Sequence, residues 1–250
     1  MRTQEAIQPS AASVLQAHGV VAGYGKRDVL DGLDLQVHAG EIYALLGANG
    51  AGKTTTLNLF LGFLKPRGGW VRVCGTDPAA DPVAARRHLA YIPESVALYE
   101  HLSAQENVAY LLHLAGQPEQ AGAIEAALLA AGLDKEAHER RVSGFSKGMR
   151  QKVAIALALA RRTGALLLDE PTSGLDPQAT AEFNRLLAML RGRGVAVLMV
   201  THDLLGAADV ADQIGFVDQG RLVQEVAAVG AQRFDVPSLH RRYSSQGAGR

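Results

Sequence analysis

The stretch Gly47-Ala48-Asn49-Gly50-Ala51-Gly52-Lys53-Thr54 constrains this chain more than any other. Its spacing is that of a phosphate-binding loop: a glycine, four residues, then glycine, lysine and a hydroxyl residue. The context agrees on both sides. Glu41 to Gly47 is a compact apolar run that reads as a buried strand, and from Lys53 to Leu64 the pattern becomes helical. Glycines let a backbone wrap closely around phosphates with its N–H groups inward. The helix that follows turns the positive end of its dipole to the same anion. Gly47, Asn49, Gly50, Gly52, Lys53, Thr54 and Thr55 are thus the candidate nucleotide-binding residues. Lys53 is expected to reach the β- and γ-phosphates and the Thr54 hydroxyl to ligand Mg²⁺.

GTPases, kinases, helicases and transport ATPases all share such a loop, and a second element narrows the field. Ala165 to Leu168 is a buried-strand pattern that ends in two adjacent acids, Asp169 and Glu170. Acids at the carboxyl end of a parallel strand lie where α/β folds bind their ligands. Asp169 suits a Mg²⁺ ion, a hard cation that takes oxygen ligands. Glu170, one residue on, is placed to polarise the attacking water. Pro171-Thr172 fixes the exit of the chain.

Around these motifs the chain divides by composition. Val14 to Val37 alternates apolar residues with turn signals at Gly23, Gly25 and Asp31-Gly32, which predicts short antiparallel strands. Trp70 to Gly75 returns to strand chemistry. From Ser95 to Arg141, Ala, Leu, Glu and Gln dominate with helical periodicity, as in an α-helical insert. Beyond Gly148 come a helix, the strand to Leu168, a helix over Gln178 to Leu190 and a buried strand over Val195 to Val200. That order predicts a parallel sheet with helices against it. The single Cys74 excludes an intrachain disulfide. Zero formal net charge speaks against a nucleic-acid partner. Met1 to Ser13 has no apolar core of a signal peptide, and no apolar run approaches the ~18 to 20 residues of a membrane-crossing helix.

Several further segments, in one order, resemble the ABC ATPase family over about Val14 to Ala231. Val142-Ser143-Gly144-Phe145-Ser146-Lys147-Gly148-Met149 corresponds to that family's signature segment, usually LSGGQ. Thr172-Ser173-Gly174-Leu175-Asp176 matches its D-loop, and Val200-Thr201-His202-Asp203 ends where it has its switch histidine. Tyr24 matches the aromatic that stacks on adenine. The resemblance implies an α/β fold: a P-loop NTPase (RecA-like) core with an N-terminal antiparallel β subdomain and an α-helical insert. One ATPase domain is expected over 14–232, its core in 14–93 and 150–232, its helical subdomain in 94–149, and tails at 1–13 and 233–250. Ser146 and Gly148 would offer a hydroxyl and an N–H to ATP held by a second subunit, most simply an identical one. Asp176 would couple the two sites, and His202 would contact the γ-phosphate. An integral membrane permease would be the other partner, placing the chain peripherally on the cytoplasmic face of the membrane.

Two departures from the family pattern stand out. Glu94, in Tyr91-Ile92-Pro93-Glu94, stands where the family has a Mg²⁺-facing glutamine, and the signature carries Phe145, Lys147 and Met149 where its common form has Leu, Gly and Gln. The Phe-Ser-Lys-Gly-Met form resembles ABC-2 type ATPases, a lean toward export. A non-transport or regulatory ABC ATPase is the alternative. Val96, Leu98 and Tyr99 admit two readings: a groove for the permease, or packing inside the helical insert.

Overall fold

The computed structural model describes residues 13–117, 122–230 and 233–239. The tail expectations for 1–12 and 240–250 lie outside the described residues.

A long hairpin comes first. Strands β1 (Ser13–Tyr24) and β2 (Arg27–His38) pair antiparallel around a turn at Gly25-Lys26. Alternation decides the faces: Leu15, Ala17, Val20 and Ala22 of β1 and Leu33, Leu35 and Val37 of β2 are buried. Asp31-Gly32, marked as a turn by its sequence, lies inside β2 instead. Gly32 has φ 79° at an irregularity where Val20 pairs with Leu33 and Val21 with Asp31. Strand β4 (Gly68–Val73) adds to β1 and completes a three-stranded sheet, β2-β1-β4.

The second sheet has six strands in the order β5-β6-β7-β3-β8-β9. They are β3 (Ile42–Leu46), β5 (Leu89–Ile92), β6 (Ala165–Asp169), β7 (Ala196–Thr201), β8 (Gln213–Asp218) and β9 (Arg221–Ala227). All neighbours are parallel except β9, which returns antiparallel along β8. The central strands are apolar throughout because both faces are covered. Ile42, Ala44 and Leu46 point into one core with Leu166, Leu168, Val197 and Met199. Tyr43 and Leu45 point into the other with Leu167, Leu198 and Val200.

Helix α1 (Lys53–Phe60) sits in the second core, beside the three-stranded sheet. Helix α2 (Pro82–Arg87) is capped by Asp81. The first core is closed by α3 (Ala104–Leu114), α4 (Ala123–Ala130), α5 (Lys135–His138), α6 (Lys147–Ala160), α7 (Pro177–Gly192) and α8 (Leu204–Val210). Their starts follow the sequence. Ser103 and Glu106 form a reciprocal capping box on α3, and Asp176 with Pro177 opens α7. Phe234 and Leu239, placed in the tail on composition, are buried in the first core, so chain beyond 232 still belongs to it. Among the described residues no helix is long and apolar enough to cross a membrane.

Candidate active site

Three neighbouring strands deliver the site. The phosphate-binding loop leaves the carboxyl end of β3, Asp169 and Glu170 end β6, and Thr201 with His202 ends β7, which lies between the other two. A cavity of about 310 Å³ opens there. It is lined by Asn49, Gly50, Gly52, Lys53, Thr54, Thr55, Glu94, Asp169 and Glu170, so nine of the predicted residues meet in one cleft. Gly47 closes the loop from beneath. A Cβ on it would come within 2.6 Å of the Val217 carbonyl, so only glycine fits. Gly50 and Gly52, at φ 82° and 114°, hold left-handed turns that a side chain would strain.

Lys53 is buried, and its Nζ donates to the carbonyls of Gly47 at 2.6 Å and Ala48 at 3.2 Å. Burial pulls its ammonium below the ordinary lysine range, while the Glu170 and Asp169 carboxylates work the other way. Asp169 is pushed up, first by burial and then by the Glu170 and Glu94 charges; the Tyr91 hydroxyl, donating at 3.4 Å, and Lys53 oppose this. Tyr91 itself is pushed up to about 12, chiefly by burial and then by Asp169.

Glu170 is the most tightly held group. Its Oε2 accepts from Thr201 Oγ1 at 2.9 Å and from the His202 N–H at 3.4 Å, and its Oε1 lies 2.9 Å from His202 Nδ1. Its backbone takes φ 44°, a left-handed conformation that costs a non-glycine residue roughly 1–2 kcal/mol. The distortion sits at a carboxylate lining the cleft just past the end of β6, as strain stored at a working group does. Thr201 is buried and also accepts from the Asp203 N–H at 3.0 Å. Sequence pattern assigned Thr201 no role. The parallel register, with Asp169 opposite Val200, is the signal that sets Glu170 beside it.

The other predicted residues lie elsewhere. Ser146, Gly148 and Asp176 line a separate cavity of about 260 Å³ between α6 and α7. Helix α6 begins at Lys147, two residues before the expected Met149, so Gly148 stands in its first turn. There its N–H belongs to the set without an intrahelical acceptor. Ser146 Oγ accepts from the Met149 N–H at 3.3 Å, and Asp176 accepts from the Ala179 N–H at 2.8 Å. Tyr24, half exposed at the end of β1, accepts from Asn58 Nδ2 at 2.9 Å on the outer side of α1 and does not line the cleft. Val96 is buried and Leu98 packs against the first core; Tyr99 stays exposed, edge-on to Tyr110 with ring centroids 4.9 Å apart.

Among the described residues no cluster of acids, histidines or cysteines forms a protein-only metal site. The oxygen donors nonetheless suit Mg²⁺, which uses one or two carboxylates together with substrate phosphates. Three carboxylates face a single ammonium here, so a polyphosphate entering the cleft needs a cation with it.

The comparisons with known proteins follow the same line. Residues 30–173 match the family model described as ABC transporter. The chain is 35% identical over 219 residues to the daunorubicin/doxorubicin resistance ATP-binding protein DrrA of Streptomyces peucetius, covering 87% of this chain and 66% of that one. It is 35% identical over 205 residues to the Nod factor export ATP-binding protein I of Burkholderia orbicola (strain AU 1054), covering 82% and 67%. It therefore spans about two thirds of the length of these relatives. The dimeric structure of MJ0796, a bacterial ABC transporter cassette, superposes with a TM-score of 0.73 at 26% identity, covering 86% of this chain and 99% of that one.

Proposed function

The chain belongs to the ABC transporter family, and we propose that it is the Mg²⁺-dependent ATPase subunit that drives a separate membrane permease, in the direction of export. The observation that carries this is the meeting of Lys53, Thr54, Asp169 and Glu170 in one cleft, with Glu170 locked by Thr201 and His202.

In this proposal the loop amides of Gly50 and Gly52 and the Lys53 ammonium hold the phosphates. Lys53 exchanges its two carbonyl acceptors for phosphate oxygens, which offset its burial. Thr54, Asp169 and Glu94 hold Mg²⁺, which when bound neutralises phosphate charge. Glu170 orients the attacking water and takes its proton as the oxygen bonds to the γ-phosphorus, and the bond to ADP breaks with its electron pair on ADP. His202, held beside Glu170, would contact the same γ-phosphate. Most of the work is positioning and charge stabilisation. Ser146, Gly148 and Asp176 serve the nucleotide of a second subunit, which explains why a single chain keeps them apart from its own cleft. A head-to-tail dimer of this chain, like the dimeric cassette it superposes on, completes two sites.

Export is supported by the similarity to a Nod factor export ATP-binding protein and by the Phe145-Ser146-Lys147-Gly148-Met149 signature. The permease holds the chain at the cytoplasmic face of the membrane, and the exposed Tyr99, set edge-on to Tyr110, lies in the segment expected to meet it.

The test is size-exclusion elution of Glu170→Gln with and without Mg-ATP. The substitution keeps the shape of the cleft and removes the proton acceptor. An ATP-dependent shift to a dimer, lost in Glu170→Gln/Ser146→Arg, is the expected result. An absence of ATP binding would overturn the proposal.

A further inference from the structure

Two of the residues that depart from the family pattern, Glu94 and Lys147, lie 53 positions apart in sequence and meet at a single third residue, Ser173. The Ser173 hydroxyl donates to Glu94 Oε1 at 3.0 Å. The Ser173 carbonyl accepts from Lys147 Nζ. Its own N–H donates to the Glu170 carbonyl at 3.2 Å. One serine thus touches the acid on the cation side of the cleft, the backbone of the residue that handles water, and the first residue of α6.

A second contact shows that α6 and this loop form one unit. Gln151 lies four residues after Lys147, on the same helix face, and its Nε2 donates to the Pro171 carbonyl at 2.6 Å. Gln151 is fully buried. Two donors one turn apart therefore grip alternate carbonyls of the loop, at Pro171 and Ser173. A glycine at 147 and a glutamine at 94 would remove one anchor and both charges. The ammonium and the carboxylate on either side of Ser173 balance each other, and each strengthens its hydrogen bond to the serine.

We propose that Glu94, Ser173 and Lys147 form a relay that ties the cation side of the nucleotide cleft to the signature segment of the same subunit, with Ser173 as its positioning residue. This rests on the ATPase proposal above and goes beyond it by assigning Lys147 and Ser173. The hydroxyl of Ser173 and a cation compete for the Glu94 carboxylate. Whatever holds Ser173 in place therefore raises the Mg²⁺ concentration needed to fill the cleft. Lys147 touches no part of the cleft itself, so any effect it has on Mg²⁺ must pass through Ser173.

The experiment is equilibrium binding of a fluorescent ATP analogue to the purified chain, titrated with Mg²⁺. Ser173→Ala is expected to lower the half-saturating Mg²⁺ by about threefold, the low end of an ordinary hydrogen bond, because solvent reaches this exposed pair. Lys147→Met is expected to lower it in the same direction, and Lys147→Arg to restore it. In the double variant the two shifts should not add, and in a Glu94→Gln background both should shrink toward nothing. A half-saturation unmoved by Lys147→Met, or shifts that add in the double variant, would overturn the relay. If the unsubstituted chain binds no analogue at any Mg²⁺ concentration, the ATPase proposal fails instead. The melting temperature of each variant without nucleotide separates a local change from lost folding.

Discussion

Replacing Thr201 with Val removes a single hydroxyl and keeps the shape of the side chain. The side chain is buried, and the hydroxyl is the closest donor to Glu170 Oε2 at 2.9 Å. A hydrogen bond to a charged group is worth about 1.5–3 kcal/mol. If the whole of it acts in the transition state, hydrolysis falls by roughly 10- to 150-fold, at 1.36 kcal/mol per factor of ten. Glu170 keeps two other partners on His202, the ring at 2.9 Å and the backbone N–H at 3.4 Å. The expected loss in kcat therefore lies at the lower end, about 10- to 30-fold. Binding of a fluorescent ATP analogue should change by less than about threefold, because Thr201 does not line the cleft. The same hydroxyl accepts from the Asp203 N–H, so the melting temperature should drop by about 2–4 °C for roughly 1 kcal/mol. Thr201→Ser should restore kcat. A valine variant with kcat within about twofold of the parent but the expected loss of melting temperature would refute the claim that this bond aims Glu170.

Two further outcomes follow from the same structure. Burial raises the Asp169 carboxyl above its ordinary range, so its stabilising contribution is fully present below the ordinary carboxylate pKa and is lost as pH rises through the raised one. At neutral pH the ionised group costs the nucleotide-free protein stability. Asp169→Asn should accordingly raise its melting temperature at pH 7 while abolishing hydrolysis, and a lowered melting temperature would contradict the assignment. In the second core, the Tyr43 hydroxyl donates to Glu225 at 2.7 Å, while Glu225 also accepts from Gln213 at 3.0 Å. Tyr43→Phe should cost about 1 kcal/mol, measured as a fall of about 2–4 °C, with kcat unchanged.

What could be read from residue order was what is local. The phosphate-binding loop and the Asp169-Glu170 pair each occupy a few consecutive residues whose spacing carries the chemistry, and both stand at strand ends as expected. Asp31-Gly32 was misread because a turn and a bulge ask the same of glycine, a positive φ, and only the partner strand decides between them. Phe234 and Leu239 were lost in a polar segment too short to show a period. Thr201, Ser173 and Gln151 could not be assigned because each acts on a residue 20 to 79 positions away, through the order of strands and the seat of α6. Glu94 and Lys147 were visible as departures, but their common contact was not.

The central sheet separates two stores of packing. Ala44 and Leu45 are adjacent in sequence yet belong to different cores, one shared with the helices of the insert and the other with α1 and the three-stranded sheet. A larger residue at 44 presses on the face that carries α3 to α8; one at 45 presses on the face that carries the phosphate-binding helix. Substitutions on the two sides are therefore felt first by different helices, and they meet through the strands and through the loop after β6 that Lys147 and Gln151 grip. Repacking α3 to α5 can thus leave α1 and the loop before it undisturbed, whereas a change at the start of α6 reaches the cleft through Ser173.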